Sequence, residues 1–214
     1  MHLKRNSVPR RWPIARKGTK FVVQPNNNAK TAVSVLMVLR DMLEIAKIRK
    51  DAKSMIHQRQ IEVNSKIITD EKYSMTLYDK IHLKKSGKFY ELGFENRKMT
   101  LKEVDEKQAK TKIVKISNKK ILEKNKTQIN FNDGRNLLTN ENLHVGDSVV
   151  LNLAENKIEE VLPVKKGSKA IVIAGKHLGK IGSLESLDEP AKTAVLKYEN
   201  SDLNISFKNL MVIK

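Results

Sequence analysis

A chain of 214 residues can hold one large domain or several small ones, and 42 lysines and arginines against 24 acids leave a formal net charge of +18. Such an excess suits an anionic polymer, whose phosphates release counterions when they are neutralised. The absence of cysteine excludes disulfides, thiol nucleophiles and cysteine zinc sites, while His2, His57, His82, His144 and His177 are scattered without ligand spacing. No apolar run approaches a membrane span, and neither a basic amphipathic helix nor a lipidation signal is present. The basic N-terminus lacks the apolar core of a secretion signal, so the expected compartment is the cytosol.

Residues 1–30 carry Lys4, Arg5, Arg10, Arg11, Arg16, Lys17, Lys20 and Lys30 with no acid, and Pro9, Pro13, Pro25 and Asn26 to Asn28 argue against a regular element. The segment reads as an extension too poor in apolar surface to fold alone, ordered only on an anionic surface. Trp12, the only tryptophan, has two readings: stacking on a base or arginine plane, or anchoring on the protein's own first domain.

From Thr31 the pattern changes. Val35, Val38, Leu39, Met42 and Leu43 fall at helical spacing and predict one amphipathic helix over 32–45. A second short helix buries Ala52, Met55 and Ile56, which turns Arg49, Lys50 and Lys53 outward. "QIEVNSKIIT" reads as a hairpin around Asn64-Ser65, and "DKIHL" as a further strand. These elements make a small domain over 31–85.

Strands dominate thereafter. "KFYELGF", "TKIVKI", "TQINF", "NLLT", "DSVVLNL" and "KIEEVLPV" are short apolar or alternating runs broken by turn residues, with a helical turn or two at Asp105 to Lys110. They form a β-rich central domain over 86–163, in which "NDGRN" at 132–136 is a strong turn signal. Lys119, Lys120, Lys124 and Lys126 form a basic cluster there, read either as an RNA-touching loop or as a solvated face. Five more short strands, "AIVI", "GSLESL", "TAVLKY", "LNISF" and "LMVI", suit a small β-barrel over 164–214.

The glycine-rich stretch "AGKHLGKIG" at 174–182 opens that barrel. It is no P-loop: only three residues separate Gly175 from Gly179, and Lys180 is followed by Ile181 where magnesium binding wants Ser or Thr. Strand-like runs flank it, so no helix N-terminus stands ready for a phosphate. A turn with Lys176, His177 and Lys180 at its tip is the expected form. Nor does the chain show a nucleophile, base and orienting group together, and Asp133 and Asp147 lie in turn signals. No enzyme, no cofactor and no small-molecule substrate are expected.

In order, "HLKR" with "WPI" and "RKG", then "IRKDAKSMIHQRQIEVNSKIITDEKY", then "DGRN", then "KAIVIAGKHLGKIG" resemble one family along essentially the whole chain. The family is the archaeal and eukaryotic e-type small ribosomal subunit protein four. The second stretch looks like an αL RNA-binding domain and the last like a KOW motif. Two departures stand out. The hairpin has Asn64-Ser65 where Asn-Gly or Asp-Gly is usual, and the chain ends soon after the barrel, without the basic tail of longer relatives.

The resemblance implies an α+β, multi-domain fold: a basic N-terminal arm (1–30), an αL-type RNA-binding domain (31–85), a β-rich central domain (86–163) and a small SH3-like (KOW) β-barrel (164–214). It implies a cytoplasmic structural constituent of the small subunit, partnered by rRNA and neighbouring ribosomal proteins and not expected to self-oligomerise. The rRNA-binding residues implied are Lys4, Arg5, Arg10, Arg11, Trp12, Arg16 and Lys17 in the arm. Arg49, Lys50, Lys53, Arg59 and Lys66 follow in the αL domain, and Arg135, Lys176, His177 and Lys180 further on. The alternative is a KOW-containing RNA chaperone or transcription-elongation factor, which would not be expected to carry both the αL domain and the arm.

Overall fold

The computed structural model describes residues 2–122, 126–188, 192–199 and 201–214. Two compact units divide the chain, Met1–Lys110 and Thr111–Lys214.

In the first unit the basic N-terminal segment closes on itself, β1 (Leu3–Lys4) pairing with β2 (Phe21–Val22). Trp12 between them is 2% exposed and lies in one core with Leu36, Leu39, Ile61, Leu92 and Met99. The Met99 N–H donates to the Arg11 carbonyl at 2.8 Å. This corrects the expectation of an arm unable to fold without an anion, and of the two readings of Trp12 it leaves the anchor. The physical reason is apolar area: beside the buried Trp12, the partly buried Leu3, Val8, Ile14, Val22 and Val23 pack against this core, and apolar area removed from water contributes roughly 25 cal/mol per Å².

The helix expected over 32–45 is broken up. A short strand β3 (Val33–Ser34) leads into a single α-helical turn, α1 (Val35–Met37), and then a π-helical turn over Val38–Met42. Every residue from Ala32 to Leu39 is buried, so the segment has no solvent face and the amphipathic reading fails. Its backbone is held instead by the 71–75 region: Val35 N–H donates to the Tyr73 carbonyl and Leu36 N–H to that of Glu71, both at 3.0 Å. The second helix forms as read. In α2 (Arg49–His57), Ala52 and Ile56 are buried, and the Asp51 carboxylate accepts the Ile48 N–H at 3.1 Å.

The hairpin of β4 (Ile61–Val63) and β5 (Lys66–Ile67) turns on Asn64 and Ser65 at φ 51° and 62°, as a type I′ turn requires. β6 (Ser74–Met75) pairs with β3. Then β7 (Lys80–Leu83), β8 (Lys88–Glu95) and β9 (Lys98–Val104) complete a sheet of order β5-β4-β7-β8-β9, followed by α3 (Glu106–Ala109). The boundary drawn at residue 86 therefore falls inside a sheet: β8 pairs directly with β7 across a tight turn in which Gly87 sits at φ 66°. The break was drawn where strands begin to dominate, but the first of those strands extends the preceding sheet.

The second unit is built on β10 (Thr111–Ile121). Its first half pairs with β13 (Ser148–Asn152) and its second, after an irregularity between Ile116 and Asn118, with β11 (Thr127–Phe131). With β12 (Asn136–Thr139) and β14 (Lys157–Leu162) the order is β12-β11-β10-β13-β14. Val114, Ile116, Ile129, Phe131, Val149 and Leu151 form its core. A second five-stranded antiparallel sheet follows: β15 (Lys169–Val172), β16 (Ile181–Asp188), β17 (Thr193–Tyr198), β18 (Ser201–Ser206) and β19 (Leu210–Val212), in the order β18-β17-β16-β15-β19. All five strands read from the sequence are present, around a core that includes Val172, Leu184, Leu196 and Leu210. Lys124 of the basic cluster lies outside the described residues.

Candidate nucleic-acid interface

The arm's cations differ in what they can do. Lys4, Arg10, Arg16 and Lys17 are exposed. Arg5 is spent on the protein, donating to the carbonyls of Ala15 at 2.6 Å and Thr19 at 2.8 Å and to Thr19 Oγ1 at 3.0 Å. Arg11 is half-buried, and burial lowers its pKa from the ordinary arginine value. Trp12 is shut away in the core, which excludes it as an open stacking platform. The segment wraps a concavity of about 1250 Å³. Two of its lining cations, Lys20 and Lys98, were not among the residues expected to bind. Lys98 could not have been found from sequence, because only the pairing of β8 with β9 brings it to the arm.

On α2, Lys50 and Lys53 are exposed and Arg59 follows the helix C-terminus, while Lys66 is exposed on β5. Arg49 is no free cation. Its Nε lies 3.1 and 2.9 Å from the two oxygens of Glu71, and Nη2 makes a further short bond to Oε1. Lys53 Nζ stands 3.6 Å from the same carboxylate. The Glu71 side chain is 6% exposed and those of Arg49 and Lys53 about half. The hydrogen bond from Arg49 lowers the Glu71 pKa against burial, helped by the charges of Arg49 and Lys53, and the same bond raises that of Arg49. Glu71 thus aims two cations of α2 while offsetting part of their charge, a role that no sequence signal announced.

Of the second unit's expected RNA-binding cations, Arg135 and Lys180 are constrained by neighbours. Arg135 is half-buried, its Nε 3.5 Å from Asp133. That carboxylate sits in a buried pair with Lys112 at 2.7 Å, the two side chains 4% and 1% exposed. Burial alone would raise the Asp133 pKa, but the Lys112 ammonium, the Arg135 N–H and the Arg135 charge together leave it lowered. Asp147 accepts the Val164 N–H at 3.1 Å. Both carboxylates therefore hold main-chain turns in place.

The glycine-rich stretch is a strand-to-strand turn. Gly179 N–H donates to the Val172 carbonyl at 2.8 Å and Val172 N–H to that of Lys180 at 3.0 Å, with Gly175 and Gly179 at φ 94° and 83°. Lys176 is exposed and His177 half-buried at the tip, whereas Lys180 lies 4.3 Å from the Tyr198 ring centroid. Lys119, from the basic cluster, is held by Asn142 Oδ1 at 2.9 Å and the Leu143 carbonyl at 3.2 Å. Among the described residues, no group of three or more His, Asp or Glu could hold a metal ion. No described helix is long and apolar enough to cross a membrane.

Residues 1–27 match the RS4NT (NUC023) domain and residues 87–158 match Ribosomal family S4e. Small ribosomal subunit protein eS4 of Methanospirillum hungatei is 34% identical over 211 residues, 94% of this chain and 87% of that protein. The protein of the same name from Methanothermobacter thermautotrophicus is 31% identical over 191 residues, 87% of this chain and 79% of its own length. The crystal structure of 30S ribosomal protein S4e from Thermoplasma acidophilum superposes with a TM-score of 0.74 at 21% identity, covering 86% of this chain and 95% of that one. At that identity the structural likeness speaks for the fold, which is mostly β with few helices.

Proposed function

The chain belongs to ribosomal family S4e, and on that premise we propose that it is a structural constituent of the small ribosomal subunit that binds rRNA and supports subunit assembly. The observation that carries the reading is the extent of the likeness to archaeal eS4 proteins, 94% of the chain for the Methanospirillum protein. The net charge of +18 supplies the physical complement, since each phosphate neutralised releases counterions.

The work divides by segment in this proposal. Lys4, Arg10, Arg16 and Lys17 of the N-terminal segment hold phosphates, with Lys50, Lys53, Arg59 and Lys66 forming the face of an αL-type RNA-binding domain. The last five strands serve as a KOW-type, SH3-like barrel whose tip offers Lys176 and His177. Phosphate contacts position the protein, and the shape of the RNA selects it. The partners are small-subunit rRNA and neighbouring ribosomal proteins, the setting is the cytoplasmic ribosome, and no catalysis is assigned.

A salt titration tests it, using the organism's own small-subunit rRNA beside a scrambled RNA of equal length. Tighter binding to the native RNA that persists at high salt is expected. Equal binding to both, collapsing together as salt rises, would reduce the protein to a general cationic binder and favour the chaperone or elongation-factor alternative.

A further inference from the structure

Building on the rRNA-binding reading, we infer that the N-terminal concavity is a site for an unpaired segment of RNA, with a base against its apolar lining and phosphates on its cationic rim. At about 1250 Å³ the concavity exceeds the ~300–1,000 Å³ of a typical small-molecule pocket, so a stretch of polymer suits it better than a single metabolite.

Its lining has two chemistries. Lys4, Arg10, Lys17, Lys20 and Lys98 bring positive charge, and no Asp or Glu lies among the lining residues. The half-buried Val8, Pro9 and Ile14 bring apolar surface. A duplex presents only phosphates, sugars and groove edges, and would leave that apolar surface unused. An unpaired nucleotide carries a base with an open face beside its own phosphate, so it meets both chemistries at once. An anionic membrane is the other class of cationic-surface partner, but it engages apolar residues that protrude into lipid rather than residues that line a recess.

The site is also built in advance. Arg5 staples the 15–19 loop through the Ala15 carbonyl, the Thr19 carbonyl and Thr19 Oγ1. Gly18 in that loop has φ 144°, and a Cβ there would come within 2.9 Å of Arg5 Cζ. Lys17 is therefore presented on a fixed loop, and a ligand need not order it on arrival. The indole N–H of Trp12 is a buried donor with no acceptor, one of only two such side-chain atoms among the described residues.

Trp12 is the sole tryptophan, so its emission reports on this site directly. The experiment titrates the full chain with a short single-stranded oligoribonucleotide, a duplex of the same composition and phosphatidylserine vesicles, reading Trp12 fluorescence. The single strand is expected to give a saturable change and to bind roughly tenfold tighter than the duplex. Lys98→Gln, at an exposed position on a sheet strand, is expected to weaken the single strand roughly threefold or more with an unchanged thermal transition. Equal binding of duplex and single strand overturns the inference, as does a stronger response to vesicles. Unchanged emission at RNA saturation overturns it as well. If the salt-resistant preference for native small-subunit rRNA persists in those cases, the ribosomal reading stands without this site; if that preference is lost too, both fail.

Discussion

Lys115 puts its ammonium where three main-chain carbonyls converge. Nζ lies 2.6 Å from the Leu210 oxygen and 3.4 Å from that of Lys208, with a shorter bond to Phe207. The residue is 6% exposed, and burial pulls its pKa down to about 8. The unfolded chain keeps a lysine near ~10.4, so from about pH 8 to about pH 10 the unfolded state binds more protons and stability rises with pH. Across that window the denaturation midpoint of the wild-type protein should climb relative to Lys115→Met, which lacks the titrating group. Parallel pH profiles for the two proteins would refute the assignment. Nothing in "TKIVKI" announced this residue or Lys112, because lysine is a residue type seldom buried. The strand is buried on both sides along its first half, and charge is admitted there only where partners wait.

At the scale of elements, the β4–β5 hairpin shows how a departure from the usual turn is tolerated. Asn64 suits its left-handed position and is locked in place, its amide donating to Asp79 Oδ1 at 2.6 Å and accepting the Lys80 N–H at 3.0 Å. Ser65, at φ 62°, is exposed and carries the conformational cost alone. Ser65→Gly should stabilise the protein by ~1 kcal/mol, raising Tm by about 2–4 °C. A lower Tm would mean that the serine makes a compensating contact. This hairpin, α2 and the last five strands were legible because local signals set them: Asn-Ser at a turn, a stripe through Ala52 and Ile56, glycines between short apolar runs. The 32–45 region was misread because its apolar residues surround the chain on all sides, and spacing alone cannot distinguish one face from every face. β9 was passed over because Lys98, Lys102 and Glu103 dilute its apolar positions.

At the scale of the molecule, each unit carries its own core, and the division after Lys110 predicts that residues 1–110 and 111–214 fold separately. The first fragment should keep the blue-shifted emission of a buried Trp12; the emission of a solvated indole would show that its core needs the rest of the chain. The candidate site was legible as composition and not as place. The excess of lysine and arginine pointed to RNA, but which cations remain available was decided by partners distant in sequence, as when Glu71 takes Arg49. Arg5 is the sharper case: expected to hold phosphate, it is also bonded to its own loop.

The bond from Met99 to the Arg11 carbonyl has a consequence in time. Synthesis is vectorial, and the basic N-terminal segment leaves the exit tunnel long before its partners in β8 and β9 exist. At ~5–20 residues per second the wait is on the order of ten seconds. During it the segment's cations are in solution while Trp12 has no core to enter and Lys98 has not been translated. The recess at the start of the chain is thus completed by its middle, and a nascent polypeptide gains this binding surface only when the first unit closes.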